Sequence, residues 1–188
     1  FQGFHNKMLH DGTILGSLNE RNTEYGWQDQ TDLTQVDWDG NVLWKFDHME
    51  YVEDPGYEPQ WMARQHHDYQ IEGNTVGYYV PGMIPNMDGN KIILCQQDVH
   101  NPEISDKPLT DDTIIEINKD GEIIWRWNCN EHFREMRFSE EAKNTICAHP
   151  DMVPNGTGDW MHVNCVSVLG PNKWYDAGDE RFHPDNLI

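Results

Sequence analysis

Positive charge is what this chain has least of. Thirteen Lys and Arg stand against 33 Asp and Glu, giving a formal net charge of −20 over 188 residues. Nucleic acid and anionic membrane surfaces both call for a basic footprint, so the charge argues against both as partners. Long apolar runs are missing too. No stretch reaches the roughly 20 residues that cross a bilayer as a helix, so no membrane span is expected. Cysteine is sparse: Cys95, Cys129, Cys147 and Cys165 form no CxxC pair. That removes zinc-ribbon and thioredoxin-like chemistry. The spacing leaves Cys129–Cys147, across one loop, as the first choice among three pairings, with free buried thiols an equal alternative. The chain opens at Phe1 with no initiator Met and no signal peptide, and reads as processed or as an excerpt.

Aromatics are plentiful, with eight Trp, seven Tyr and six Phe. This is far too rich for a solvated acidic tail, so a packed core is expected. The strongest pattern is a phrase that occurs twice. Residues 36–47 read VDWDGNVLWKFD and residues 117–128 read INKDGEIIWRWN, with Gly40 and Gly121 set 81 positions apart. Asp-Gly between alternating runs is a hairpin signal, because the tight turn needs positive φ. A hairpin repeated at long period predicts an all-β, radial architecture with one sheet per repeat.

Four strand positions are expected per repeat. In the central copy they fall at His67–Glu72 (with Asn74–Val80 extending or following it), Lys91–Gln97, Thr113–Asn118 and Glu122–Asn128. The first copy lacks its opening strand and supplies Thr13–Leu18, Leu33–Trp38 and Asn41–Asp47. The last supplies Met161–Leu169 and then Asn186–Ile188. Asp11-Gly12, Asp88-Gly89 and Pro184-Asp185-Asn186 are equivalent turns. The run Glu131–Lys143 predicts a short helix inserted in a connecting loop. The whole chain, 1–188, is thus read as part of one β-propeller domain. A partial blade spans 1–50, a full blade 64–128, a helical or loop insertion 129–158, and a second partial blade 159–188. Propellers close with about 4–8 blades, and two blades alone would leave bare sheet faces and edges. The remaining blades are expected from the same polypeptide or from other subunits, with a fragment favoured.

Two further phrases, RQHHDYQ (64–70) and GDWMHVNCVSV (158–168), accompany the hairpins, and ERFHPDNLI follows at 180–188. Together they resemble the arylsulfotransferase family of six-bladed propellers, from about His10 to the end of the chain. The resemblance implies a periplasmic or secreted enzyme that needs no cofactor. It would move a sulfuryl group from a phenolic sulfate ester to a phenol through a sulfated histidine. It places His67 and His162 at the site as sulfuryl-oxygen donors or proton-transfer groups, with His66 in reserve for His67. Asp68 is expected to orient a neighbouring histidine, and Asn164 to buttress His162. Cys165 stands where the family has Ser. The family's Ser-Arg pair and sulfated histidine are expected beyond Ile188, so the chain alone is expected to be inactive. The rival readings are a non-catalytic propeller scaffold or binding subunit, and a quinoprotein-like propeller.

Bland readings are preferred elsewhere. Trp44, Trp125 and Trp127 are expected to pack sheet against sheet rather than stack on a quinone. Asp37, Asp39 and Asn41 imitate a calcium loop but lack its distal Glu, and the hairpin explains them. His66, His67 and Asp68 alternate faces if they lie on a regular strand, which argues against a shared metal. The remaining histidines, His5 among them, are read as loop or surface residues. Asn155-Gly156-Thr157 fits the glycosylation sequon.

Overall fold

A computed structural model describes residues 6–19, 29–54, 56–74, 84–149, 151–152 and 158–188. The protein is mostly β, and its two principal sheets are built on antiparallel four-strand meanders. The first meander comprises β1 (Lys7–Met8), β2 (Ile14–Gly16), β3 (Leu33–Val36) and β4 (Val42–Phe46), hydrogen-bonded in that order. A separate hairpin pairs β5 (Glu50–Val52) with β6 (Gln60–Met62). The second meander comprises β7 (Gln65–Ile71), β8 (Lys91–Val99), β9 (Leu109–Ile117) and β10 (Ile123–Asn128). Both copies of the repeated phrase form the expected hairpin. In each, the residue opening the turn closes it with its own side chain. Asp37 accepts from the Asp39 and Asn41 amides, and Asn118 accepts from those of Asp120 and Glu122. Asp37 therefore spends its carboxylate on a turn.

Strand β8 reads KIILCQQDV, and its first six residues are buried without a break. A strand covered on both faces loses its polar–apolar alternation, and β8 is covered twice. Ile93, Cys95, Ile115, Ile117 and Tyr69 meet Leu15, Leu33 and Phe46 of the first sheet. On the other side Ile92 and Leu94 meet Val166, with Val163, Val168 and Leu187 alongside. Each such aliphatic side chain contributes about 2 kcal/mol of burial. Trp44 extends the first interface, where the Lys91 ammonium lies 4.2 Å from its ring centroid. A third cluster gathers Ile104, Leu109, Cys129, Phe133 and Trp160.

Several expectations need correction. The first copy does have a piece of an opening strand, Lys7–Met8, paired to Leu15 and Ile14. The inserted helix sits later than expected. A 3-10 turn occupies Cys129–His132 and α1 spans Glu140–Ala148. Phe133 and Phe138 anchor the stretch between them, and the helix begins where Ser139 caps it by accepting from the Ala142 amide. Met161–Leu169 is not a regular strand, apart from a single antiparallel bridge between Val168 and Leu187. Its amides are divided: Val163 donates to Asp112, Val166 to Asp68 and Val168 to Gln70, whereas Ser167 and Leu169 donate to the Ile188 and Asn186 carbonyls. All four cysteines are free. Cys129 is used in the Phe133–Trp160 cluster instead of a bridge, and burial pushes its thiol pKa up. His5, residues 75–80 and the Asn155–Thr157 sequon lie outside the described residues.

Two short strands fix the approach to the second histidine phrase. β11 (Asp151–Met152) pairs with β12 (Gly158–Asp159), and β12 runs parallel to the start of β9, with Asp159 opposite Thr110. A four-residue helix, α2 (Lys173–Asp176), follows the Val168 bridge. Among the described residues the sheets do not close into a ring or barrel.

Candidate functional site

The phrase RQHHDYQ builds an irregular strand. From Gln65 to Tyr69 β7 takes four steps while its partner takes two, from Cys95 to Ile93. A bulge of this kind breaks the ladder and re-aims side chains. His67 sits in it at φ 49°. The two neighbouring imidazoles therefore do not point to opposite faces. Their Nδ1 atoms lie 3.0 Å apart and the rings meet edge to face. This corrects the alternation expected of a regular strand. Even so, no group of three or more His, Cys, Asp or Glu is arranged to hold a metal ion among the described residues.

His162, 95 positions along the chain from His67, lies against it with ring centroids 5.3 Å apart. It too has a positive φ, 55°. Arg64, His67 and His162 are three of the four described non-glycine residues with φ above zero. Each such residue costs on the order of 1 kcal/mol and persists where its surroundings over-determine it. The strain is concentrated where the two histidine phrases meet.

Each histidine phrase is backed by a carboxylate. His66 is fully buried, and its Nε2 lies 3.1 Å from Oδ1 of the equally buried Asp112. The contact is off the ideal hydrogen-bond direction, and neither atom has another hydrogen-bond partner among the described residues. The second oxygen of Asp112 accepts from the Val163 amide at 2.9 Å, which ties β9 to the His162 phrase. His162 Nδ1 contacts Asp159, whose pKa burial holds above the usual carboxylate value despite that bond. Asp111, one residue before Asp112, takes the Trp160 indole N–H at 2.9 Å and both Asn130 nitrogens. Burial keeps its pKa raised as well.

Arg64 opens the phrase but does not face the histidines. It is buried among Asp29, Glu50 and Asp98, and Asp29 lies 2.6 Å from its Nε. Burial alone would lower its pKa, but the three carboxylates outweigh that and raise it. Asp68 also turns away from the imidazoles. It pairs with Lys7 at 2.6 Å and accepts from the Tyr69 and Val166 amides, so it ties layers together instead of orienting a histidine. Asn164 reaches the expected neighbour, donating from Nδ2 to the His162 carbonyl at 3.0 Å.

The structure thus brings His66, His67 and His162 into one cluster and leaves Asp68 outside it. The residues missed from sequence are Asp112 and Asp159. Asp159 lies three positions before His162, inside a phrase already singled out. Asp111-Asp112, the third and fourth residues of β9, just before its apolar run, were a signal, since Asp is depleted from strands.

Two meandering sheets and a strained, carboxylate-backed histidine cluster define a mostly-β protein whose two histidine phrases meet in space. The sequence model of the arylsulfotransferase (ASST) family matches residues 9–174, and the chain belongs to that family. No curated protein and no solved structure gives a significant match.

Proposed function

We propose that the chain forms part of a β-propeller arylsulfotransferase that moves a sulfuryl group from a phenolic sulfate ester to a phenol by way of a histidine intermediate, outside the cytoplasm. His67 and His162 serve as proton-transfer groups and donors to the sulfuryl oxygens. The histidine that carries the group belongs to the longer protein. The supporting observation is the 5.3 Å approach of two imidazoles from separate phrases, both within the matched family region. Imidazole titrates near neutral pH, which suits it to passing protons between a phenol and a phenolate. Charge that develops on sulfuryl oxygens needs preorganised N–H donors around it, as in phosphoryl transfer.

The test uses the full-length protein with 4-nitrophenyl sulfate as donor and phenol as acceptor, following released nitrophenol by its colour. Removal of one acid–base group costs about 100-fold in turnover. We expect His67→Ala and His162→Ala each to lose that much while the protein stays folded. A folded wild type that releases no nitrophenol, or folded variants with unchanged rates, would reject the proposal.

A further inference from the structure

We propose that Asp112 and His66 form a proton relay that fixes the tautomer of His67, leaving Nε2 of His67 as its deprotonated nitrogen. The catalytic part of this inference rests on the sulfuryl-transfer reading above. The tautomer itself follows from the contacts alone.

Counting protons gives the result. Asp112 Oδ1 and His66 Nε2 are both buried and 3.1 Å apart, with no other hydrogen-bond partner among the described residues. Two bare acceptors at that separation would repel, so one of the two atoms carries a proton. With the carboxylate ionised, that proton is carried by Nε2 of His66. A neutral imidazole holds only one ring proton, so Nδ1 of His66 is then an acceptor. The group facing it is Nδ1 of His67 at 3.0 Å. This nitrogen must therefore carry the N–H, and Nε2 of a neutral His67 is left without one. The bulge at Gln65–Tyr69 and the positive φ of His67 bring the two Nδ1 atoms face to face. A regular strand would have separated them.

The relay gives His67 the role of base in the second half of the transfer. As the acceptor phenol attacks sulfur, its O–H bond breaks and the electron pair forms the new S–O bond. The bond from sulfur to its carrier breaks, returning its electrons to the carrier. The phenol proton moves to Nε2 of His67. The positive charge so formed is shared through the Nδ1–H···Nδ1 contact with His66 and, beyond it, with Asp112. Asp112 and His66 act here as positioning residues, since neither needs to touch substrate.

Replacing Asp112 by Asn makes a sharp prediction. The Val163 amide keeps a carbonyl oxygen as its acceptor, which turns the side-chain NH2 toward His66 Nε2. Nε2 must then accept, the His66 proton moves to Nδ1, and the His67 proton is displaced to Nε2. Both rings invert together. The measurement is long-range proton–nitrogen NMR on 15N-histidine-labelled protein at about pH 8, above the ordinary imidazole pKa of about 6.5. The two rings are assigned from His66→Gln and His67→Gln. In the wild type we expect His66 protonated on Nε2 and His67 on Nδ1, and in Asp112→Asn the reverse for both. A wild-type His67 protonated on Nε2 overturns the relay, whether or not Asp112→Asn folds. An unaltered His67 ring in a folded Asp112→Asn does so as well.

For the full-length enzyme we expect Asp112→Asn to lower kcat about 100-fold with little change in KM, and Asp112→Glu to recover part of it. A raised KM with unchanged kcat overturns the catalytic role. A wild type that shows the expected tautomers but no sulfuryl transfer rejects the enzyme reading and leaves the relay standing.

Discussion

In the first sheet the Asp37–Asn41 turn joins β3 to β4, and in the second the Asn118–Glu122 turn joins β9 to β10, with matching side-chain-to-amide bonds in both. The strands they join differ greatly. β3 has four residues and β9 has nine. Trp44 is partly buried against the second sheet, under the Lys91 ammonium. Its counterpart Trp125 lines an open groove of about 630 Å³ with Val168, Gly170, Pro171, Pro184 and Leu187. The repeated phrase thus specifies a hairpin and a Trp ready to pack against the next unit. What covers the sheet comes from elsewhere in the chain, and that cover carries the site. The 158–168 segment crosses the second sheet and brings Asp159 and His162 to the His66–His67 bulge. No described segment does this for the first sheet.

The largest expected effect tests that difference in cover. Leu94 is fully buried beneath the 163–168 segment, whereas Leu43 in β4 is 54% exposed. Leu94→Ala should cost about 3 kcal/mol, combining lost burial with a cavity. Leu43→Ala should stay within about 0.5 kcal/mol. Urea unfolding with unchanged slope would measure both. Comparable losses at the two positions would mean that the first sheet is covered as fully as the second, and the contrast would fail.

Much of this contrast could be read in the sequence, and some could not. Hairpins showed because Asp-Gly and Asn-Lys-Asp-Gly turns are local chemistry. β8 showed as a strand position at Lys91–Gln97, but its cover on both faces came only with the packing of Leu15 and Leu33 on one side and Val166 on the other. The meeting of His67 with His162 came from phrase resemblance, not from any local signal. Three things stayed hidden because they depend on distant partners. The alternating Val-Asn-Cys-Val-Ser-Val stretch reads as a strand, yet Asp112, Asp68 and Gln70 take the Val163, Val166 and Val168 amides, and only its end pairs with the 186–188 backbone. The bulge at His67 shows only in the register of β7 against β8, where Gln65 pairs with Cys95 and Tyr69 with Ile93. Asp68 stands next to a histidine in sequence and was given to it, but Lys7 and Val166 claim it in space.

Asp68 joins all three layers: Lys7 of the first sheet, β7 of the second, and Val166 of the cover. Partial burial works against its ionisation, but the Lys7 hydrogen bond and charge, together with the Val166 amide, win and lower its pKa. Its stabilisation is therefore fully present above the ordinary Asp value of about 3.9, and is lost as pH falls through the lower folded value. Asp111 and Asp159, raised by burial, have the opposite sign. Their cost exists above the folded value and disappears as pH falls below the ordinary one. Asp68→Asn should thus destabilise the protein at neutral pH, with the gap to wild type narrowing in acid. Unfolding free energies of both proteins measured from pH 7 down to about pH 3 would show it. A gap that widens in acid would mean that the three-layer tie does not hold.

The smallest effect concerns what the two sheets share. Gly40 and Gly121 both adopt positive φ, 83° and 82°, at the ends of their turns. A Cβ on Gly40 would meet nothing within 4 Å, and one on Gly121 only the Phe46 ring at 4.0 Å, an ordinary contact. Space is available at both, so the cost of Ala is the backbone conformation alone, about 1 kcal/mol each. Phe46 belongs to the first sheet, and its contact gives Gly121→Ala a slight chance to recover packing that Gly40→Ala lacks. We therefore expect nearly equal losses, with Gly40→Ala the larger if the two differ. A gap above about 0.5 kcal/mol in the other direction would show that the Gly121 turn is held by more than its own geometry. The two hairpins would then not be equivalent modules, and the resemblance between the sheets would end at their sequence.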